Sequence, residues 1–256
     1  MMDFRLFLED IARGAGEITL KYFQNPDLEI ITKSDSSPVT RADRESEQYI
    51  RTRIREHFPD DLILGEEFGL GGSNHSVRWI LDPIDGTKSF IHGVPLYGVI
   101  IAREENGEVT HGVVHMPALN EMVSAGKGEG CFWNGNRSKV SNGTDLSKSL
   151  LCTTSPSRLQ HVLGDAKYKT ITESFGIYRG WGDCWGHILV ATGRADVMLD
   201  PRMAIWDEAP LGVIVEEAGG VYFDFAGVRT IESGTLACCA PGVAEQVRAM
   251  LMAAND

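Results

Sequence analysis

Apolar residues recur with a helical period from the start of the chain. Phe4, Phe7, Leu8, Ile11, Ala15, Ile18, Tyr22 and Phe23 share one face of a helical repeat, which predicts an amphipathic helix over residues 3–23. The period then breaks in I-T-K-S-D-S-S-P-V-T-R-A-D (31–43), a polar, breaker-rich stretch expected to be a mobile loop. A second helix is predicted from Thr40, with Asp43 three residues on in a capping arrangement and Ala42, Tyr49, Ile50, Ile54 and Phe58 on its apolar face. That register puts Asp43 in the first turn, at the positive end of the helix dipole.

Strand-like runs follow at Leu62–Gly65, Val77–Leu81, Tyr97–Arg103 and Glu108–His115. Asn106-Gly107 marks a hairpin between the last two, and a further hairpin is expected over Glu121–Cys131. After the Ser/Asn/Gly-rich stretch at 138–144 the pattern alternates. Strands are expected near 149–154, 195–199 and 220–224, and helices near 156–163, 185–192, 206–218 and from 242. An antiparallel-rich half, 1–145, followed by an α/β half, 146–256, implies layered helices and sheets of the α+β class.

Composition narrows the function. With 256 residues, 43% of them apolar and 23% charged, the chain can bury a substantial core. A net charge of −12 argues against a nucleic-acid surface. The N-terminal stretch is interrupted by acids and has no signal-peptide apolar region, and no run is long enough for a membrane span. Five cysteines without a C-x-x-C pair read as reduced core thiols, hence a cytoplasmic protein.

The chemistry gathers where an apolar run ends. V-R-W-I-L (77–81) leads directly into Asp82, and Asp85, Gly86 and Thr87 follow. Taken alone, D-P-x-D-G also reads as a turn. Gly65-Glu66-Glu67 brings two more acids to the end of another strand, Asp207 sits at a predicted helix start, and Lys33 and Asp43 flank the polar loop. Acids that converge raise one another's pKa, and a divalent cation resolves the conflict. An all-oxygen donor set favours a hard ion, Mg²⁺. Pro83 would rigidify the corner so that the Ile84 carbonyl also faces the metal. Free N–H groups at Gly86 and Thr87 would hold a phosphate.

D-P-I-D-G-T-K-S-F (82–90), G-E-E (65–67), W-D-E-A (206–209) and E-A-G-G (217–220) resemble the signatures of the inositol monophosphatase superfamily, in the right order and nearly end to end. The resemblance implies an α-β-α-β-α sandwich, usually a homodimer, and an Mg²⁺-dependent phosphatase with roughly two or three ions per site. It implies Glu66, Asp82, Asp85, Asp207 and the Ile84 carbonyl as metal ligands. Asp43 and Thr87 would orient the attacking water, with Glu66 bridging it to the metal, and Glu67 would act through a water or a neighbouring ligand. Lys33, on the loop, would lie near the phosphate beside Asp85, Gly86 and Thr87.

R-G-W-G-D-C-W-G-H (179–187) is similar to a segment of the histidinol-phosphatase branch. Histidinol phosphate carries an ammonium and an imidazole, which Asp183 and Asp200 could pair with; Asp183 discriminates better, because inositol-specific relatives also hold an acid at the position of Asp200. His187 either packs at a helix start or faces substrate. Arg179 either faces substrate or makes an interface or salt-bridge contact. The alternatives are an inositol monophosphatase or broad sugar-phosphate phosphatase and, outside catalysis, a binding partner in a transcription complex. No basic pocket for a second anion is legible.

Overall fold

The structure is a computed structural model that describes residues 2–32 and 38–253. Helices α1 (Phe4–Leu20) and α2 (Arg41–His57) open the fold. A short antiparallel ladder, β1 (Ile30–Thr32) with β2 (Pro38–Thr40), lies between them. The expected irregular loop is therefore flanked by paired strands, because the β-branched Ile30, Ile31, Val39 and Thr40 suit a ladder. Helix α2 starts as predicted: Thr40 and Asp43 form a reciprocal capping box, worth about 1 kcal/mol. Helix α1 ends at Leu20, three residues short of the periodic pattern, in turns that accept Tyr22 and Phe23 amides at Thr19 O.

Eight strands follow as one sheet: β3 (Asp61–Gly65), β4 (Gly69–Gly71), β5 (Asn74–Asp85), β6 (Gly98–Glu105), β7 (Glu108–Met116), β8 (Glu121–Gly126), β9 (Gly130–Trp133) and β10 (Asn136–Ser138). Its order is β10-β9-β8-β7-β6-β5-β3-β4, antiparallel except for β3 beside β5. Asn106 and Gly107 take the positive φ that their hairpin needs. Short helix α3 (Thr87–Ile91) follows β5 directly.

The second sheet holds β11 (Leu150–Cys152), β12 (Ile177–Arg179), β13 (Val197–Asp200), β14 (Val221–Phe223) and β15 (Leu236–Cys239) in the order β12-β11-β13-β15-β14. Between and after them come α4 (Pro156–Leu163), α5 (Asp165–Ser174), α6 (Asp183–Ala191), α7 (Ile205–Glu217) and α8 (Pro241–Met252). Hydrophobic and polar periodicity left α5, β12, β15 and β4 unread: these elements are short, and α5 has a single buried apolar residue, Ile171.

Strand alternation sorts side chains into three apolar layers. Val99 and Ile101 of β6 pack on Leu8 and Ile11 of α1 and Ile50 and Ile54 of α2. Ile100, on the other face, joins Ile188 of α6 and Leu211 and Ile214 of α7, which also meet Met198 and Cys238 from the second sheet. Val197, Leu199 and Ala237 point outward to Leu159, Ile171 and Val243 of α4, α5 and α8. The order α-β-α-β-α follows. Helices α6 and α7 lie between the sheets, so β5 and the N-termini of both helices open onto one edge. All five cysteines are free and buried in these layers. Among the described residues, no helix is long and apolar enough to cross a membrane.

Candidate active site

Strand β5 ends at an acidic corner. Asp82 Oδ1 accepts the Ile84 amide at 2.8 Å, and Thr87 Oγ1 donates to the Ile84 carbonyl at 3.0 Å. Gly86 has φ +83°, a left-handed conformation that lets the chain turn from strand into α3. Asp85 Oδ2 accepts the amide of Cys184 at 2.5 Å, tying this corner to the first turn of α6. Asp207 comes from the first turn of α7, where Oδ2 accepts the Ala204 amide at 2.8 Å. Asp207 therefore does not cap its helix from the N-cap position, as a single acid near a helix start commonly does. It reaches back from the third helical residue.

Oxygen atoms of Asp82, Asp85 and Asp207 all lie within 4.8 Å of one another. Burial, reinforced by Glu66, Asp85 and Asp207, pushes Asp82 well above the usual carboxylate range. Asp85 and Asp207 are pushed up to about 7, again by burial first and then by neighbouring acids. Three acids held this close and this dry cannot all ionise without a counter-charge, and oxygen-only donors at this spacing suit a hard divalent cation. The residues fit such an ion.

Glu66 and Glu67 follow β3. Buried Glu47 of α2 fixes their turn by accepting the Glu67 amide at 2.8 Å and the Phe68 amide at 3.2 Å, while its charge is matched by Arg51 Nε at 2.7 Å. Glu66 lines the cavity with Asp82, Ile84 and Asp85. Asp43 is close enough to feel both glutamates. Burial raises its pKa to about 7, against two bonds from Thr40 and with Glu67 and Glu66 adding to the rise. Its Oδ2 takes the Thr40 amide and hydroxyl, whereas Oδ1 is buried and has no hydrogen-bond partner among the described residues.

Two cavities, of about 330 and 410 Å³, adjoin over this corner, a size that suits a small metabolite. The first holds Glu66, Asp82, Ile84, Asp85, Gly86, Thr87 and Asp207. The second extends past Thr154, Asp183 and Asp200. A Cβ placed on Gly86 would come within 3.1 Å of Asp183 Oδ2, so the Asp183 carboxylate stands directly beside the acidic corner. Its pKa is driven well up by burial and then by the charges of Asp85 and Asp200, with Lys88 opposing.

Not every expected residue reaches the cavity. Arg179 lies exposed at the end of edge strand β12 and donates to the Tyr178 carbonyl at 2.8 Å, away from the cavity walls. His187 is fully buried one turn into α6 and touches Asp200 from behind, with Nε2 3.8 Å from Asp200 Oδ2. Packing, rather than substrate contact, is its place. Lys33 falls outside the described residues.

Conversely, Lys88, Arg158 and Arg202 line the second cavity, with no ion pair among the described residues. The basic wall that the sequence did not disclose thus exists. Lys88 lies within D-P-I-D-G-T-K-S-F (82–90) and Arg202 two residues after Asp200, so both could have been singled out. Thr154 and Arg158 carry no local signal, because tertiary packing alone brings the β11–α4 connection over the site. A separate cavity of about 260 Å³ beneath the β6–β7 turn carries Glu104, Glu108 and Glu216, each already paired, with Arg78, Lys127 and Arg229.

Comparison with known proteins agrees with this geometry. Residues 2–254 match the family model described as the inositol monophosphatase family. The chain is 47% identical over 232 residues to a histidinol-phosphatase of Chlorobaculum parvum, covering 91% of this chain and 89% of that one. It is 34% identical to a Nus factor SuhB of Pasteurella multocida, covering 92% and 91%. Among solved structures it is similar to the Thermotoga maritima IMPase, with a TM-score of 0.87 at 32% identity over 98% of this chain and 97% of that one. The chain belongs to the inositol monophosphatase family and is a phosphoric monoester hydrolase.

Proposed function

We propose that this chain is an Mg²⁺-dependent histidinol-phosphatase, releasing L-histidinol and phosphate from L-histidinol phosphate in histidine biosynthesis. The observation that carries the reading is the pair Asp183 and Asp200 on the wall of the cavity that continues from the acidic corner. An ammonium and an imidazole need acceptors there, and a desolvated charged hydrogen bond is worth about 1.5–3 kcal/mol. Inositol phosphate offers only hydroxyls. The 47% identity to a protein named histidinol-phosphatase supports the same reading.

Glu66, Asp82, Asp85, Asp207 and the Ile84 carbonyl would hold the metal. When bound, Mg²⁺ supplies charge neutralisation for the phosphoryl group and lowers the pKa of water. The remaining work belongs to the chain. Asp43 Oδ1, buried and without a hydrogen-bond partner among the described residues, is the acceptor that orients the attacking water, together with the Thr87 hydroxyl and Glu66. The Thr87 hydroxyl now donates to the Ile84 carbonyl, which keeps its oxygen aimed at the corner. Main-chain N–H groups at Gly86 and Thr87, with Lys33, would hold the phosphate, and Glu67 would act through a water or a neighbouring ligand. The half 1–145 carries most of the metal ligands, the half 146–256 carries Asp207 and the selective wall, and the working form would be a homodimer.

A panel of phosphate esters assayed with Mg²⁺ tests the reading. A higher kcat/KM for L-histidinol phosphate than for inositol 1-phosphate is expected; the reverse order would leave an inositol monophosphatase or broad sugar-phosphate phosphatase. The relative named Nus factor SuhB motivates a second reading, a binding partner in a transcription complex. Asp82→Asn separates the two: a phenotype that survives this substitution supports binding, and a phenotype lost with turnover supports the enzyme.

A further inference from the structure

Asp183 occupies its place at a cost. Its φ is +52°, a left-handed conformation that disfavours residues with a Cβ, although Asp tolerates it better than most. No side chain caps α6 at Gly182. What holds the turn is Thr154, from the connection after β11. Its hydroxyl accepts the Asp183 amide at 2.8 Å and donates to Asp200 Oδ2 at 2.5 Å. A Cβ at Gly182 would lie 2.1 Å from Thr154 Cα, so the two backbones pack directly against each other.

Asp200 is fixed in turn. Its Oδ2 is engaged by Thr154 and faces His187 Nε2 at 3.8 Å; His187 Nδ1 rests on Cys238 Sγ at 3.1 Å. Both Asp200 and His187 are buried. Asp200 Oδ1 receives no protein donor among the described residues, and Asp200 lines the cavity.

We propose that Thr154 is a positioning residue that sets the spacing of the Asp183 and Asp200 carboxylates, and so selects phosphate esters whose alcohol carries two separate nitrogen-bearing groups. One hydroxyl ties the Asp183 main chain to the Asp200 carboxylate, so moving it shifts both residues. His187 packs behind Asp200, its Nε2 at 3.8 Å too far for a hydrogen bond. The proposal rests on the histidinol-phosphatase reading for the identity of the ester, but not for the geometry of the bridge.

The test compares Thr154→Val, which keeps the shape and removes both bonds, with Thr154→Ser, which keeps the hydroxyl. Each is assayed on L-histidinol phosphate, inositol 1-phosphate and p-nitrophenyl phosphate with Mg²⁺, alone and combined with Asp183→Ala. Thr154→Val should raise KM for L-histidinol phosphate about tenfold, with a much smaller effect on kcat and on p-nitrophenyl phosphate. Thr154→Ser should recover most of the loss. In the Asp183→Ala background Thr154→Val should add little, because coupled residues are not additive. Equal losses on all esters, no rescue by serine, or full additivity with Asp183→Ala would overturn the proposal. If wild type instead prefers inositol 1-phosphate, the substrate reading fails separately. The same comparison is then made on that ester: loss of its preference over p-nitrophenyl phosphate supports the bridge, and an unchanged preference overturns it.

Discussion

The floor and the wall of the cavity are built in different ways. The floor is one backbone corner, Asp82 to Thr87, plus Asp207 reaching in from the start of α7. Each acid there is locked by a nearby amide: Ile84 for Asp82, Cys184 for Asp85, Ala204 for Asp207. The wall is assembled from the ends of β11 and β13 and the start of α6, and one threonine hydroxyl joins its acids. A floor made this way is rigid and can serve many esters. A wall made this way changes when a single residue on any of three elements changes, which suits a surface that chooses among alcohols.

Substitutions should separate the two. The largest effect belongs to the floor: Asp207→Asn should lower kcat at least about a thousandfold on every ester alike, measured by phosphate release. A loss confined to L-histidinol phosphate would place Asp207 on the wall instead. At the wall, Asp183→Ala should raise KM for L-histidinol phosphate by about tenfold or more while p-nitrophenyl phosphate is far less affected. Equal effects would make Asp183 structural.

The floor also predicts a pH dependence. In the folded chain without metal, Asp43, Asp85 and Asp207 titrate near 7, against 3.8 as free carboxyls. Between those values the folded state holds more protons than the unfolded state. Their contribution to stability is therefore present below pH 3.8 and lost as pH rises through 7. Saturating Mg²⁺ should offset the loss, so the gain in Tm on adding it should grow by several °C from about pH 5 to 8 in differential scanning fluorimetry. A gain that is flat across that range would contradict the cluster. Smallest is the basic rim: Arg202→Ala should raise KM a few-fold for anionic esters, with the difference shrinking at high salt. An effect that persists at high salt would point to packing rather than charge.

The same contrast governs what the sequence disclosed. The floor was legible because its residues lie within six positions of each other or in short quoted motifs, and because acids ending an apolar strand are improbable without a counter-ion. Helix α2 and its capping box were legible for a similar reason: Thr40 and Asp43 act within one turn. The wall was legible only where it touched a motif, at Asp183 and Asp200. Thr154 is one polar residue in T-T-S-P, and nothing local tells that β11 and β13 run side by side and bring its hydroxyl to Asp200. Arg179 and His187 stood in the right stretch yet point elsewhere, one outward from an edge strand and one into the core. Helix α5 escaped because it buries only Ile171 and so shows no apolar period, and strand β15 because it is buried throughout and does not alternate.

The central claim is that the carboxylates of Asp82, Asp85 and Asp207 form one divalent-cation centre. Calorimetric titration of Mg²⁺ into the protein at pH 7.5, compared with the Asp85→Asn variant, measures it directly. Saturable binding to wild type that is abolished or strongly weakened in the variant is the predicted result. Indistinguishable binding to both would contradict the account.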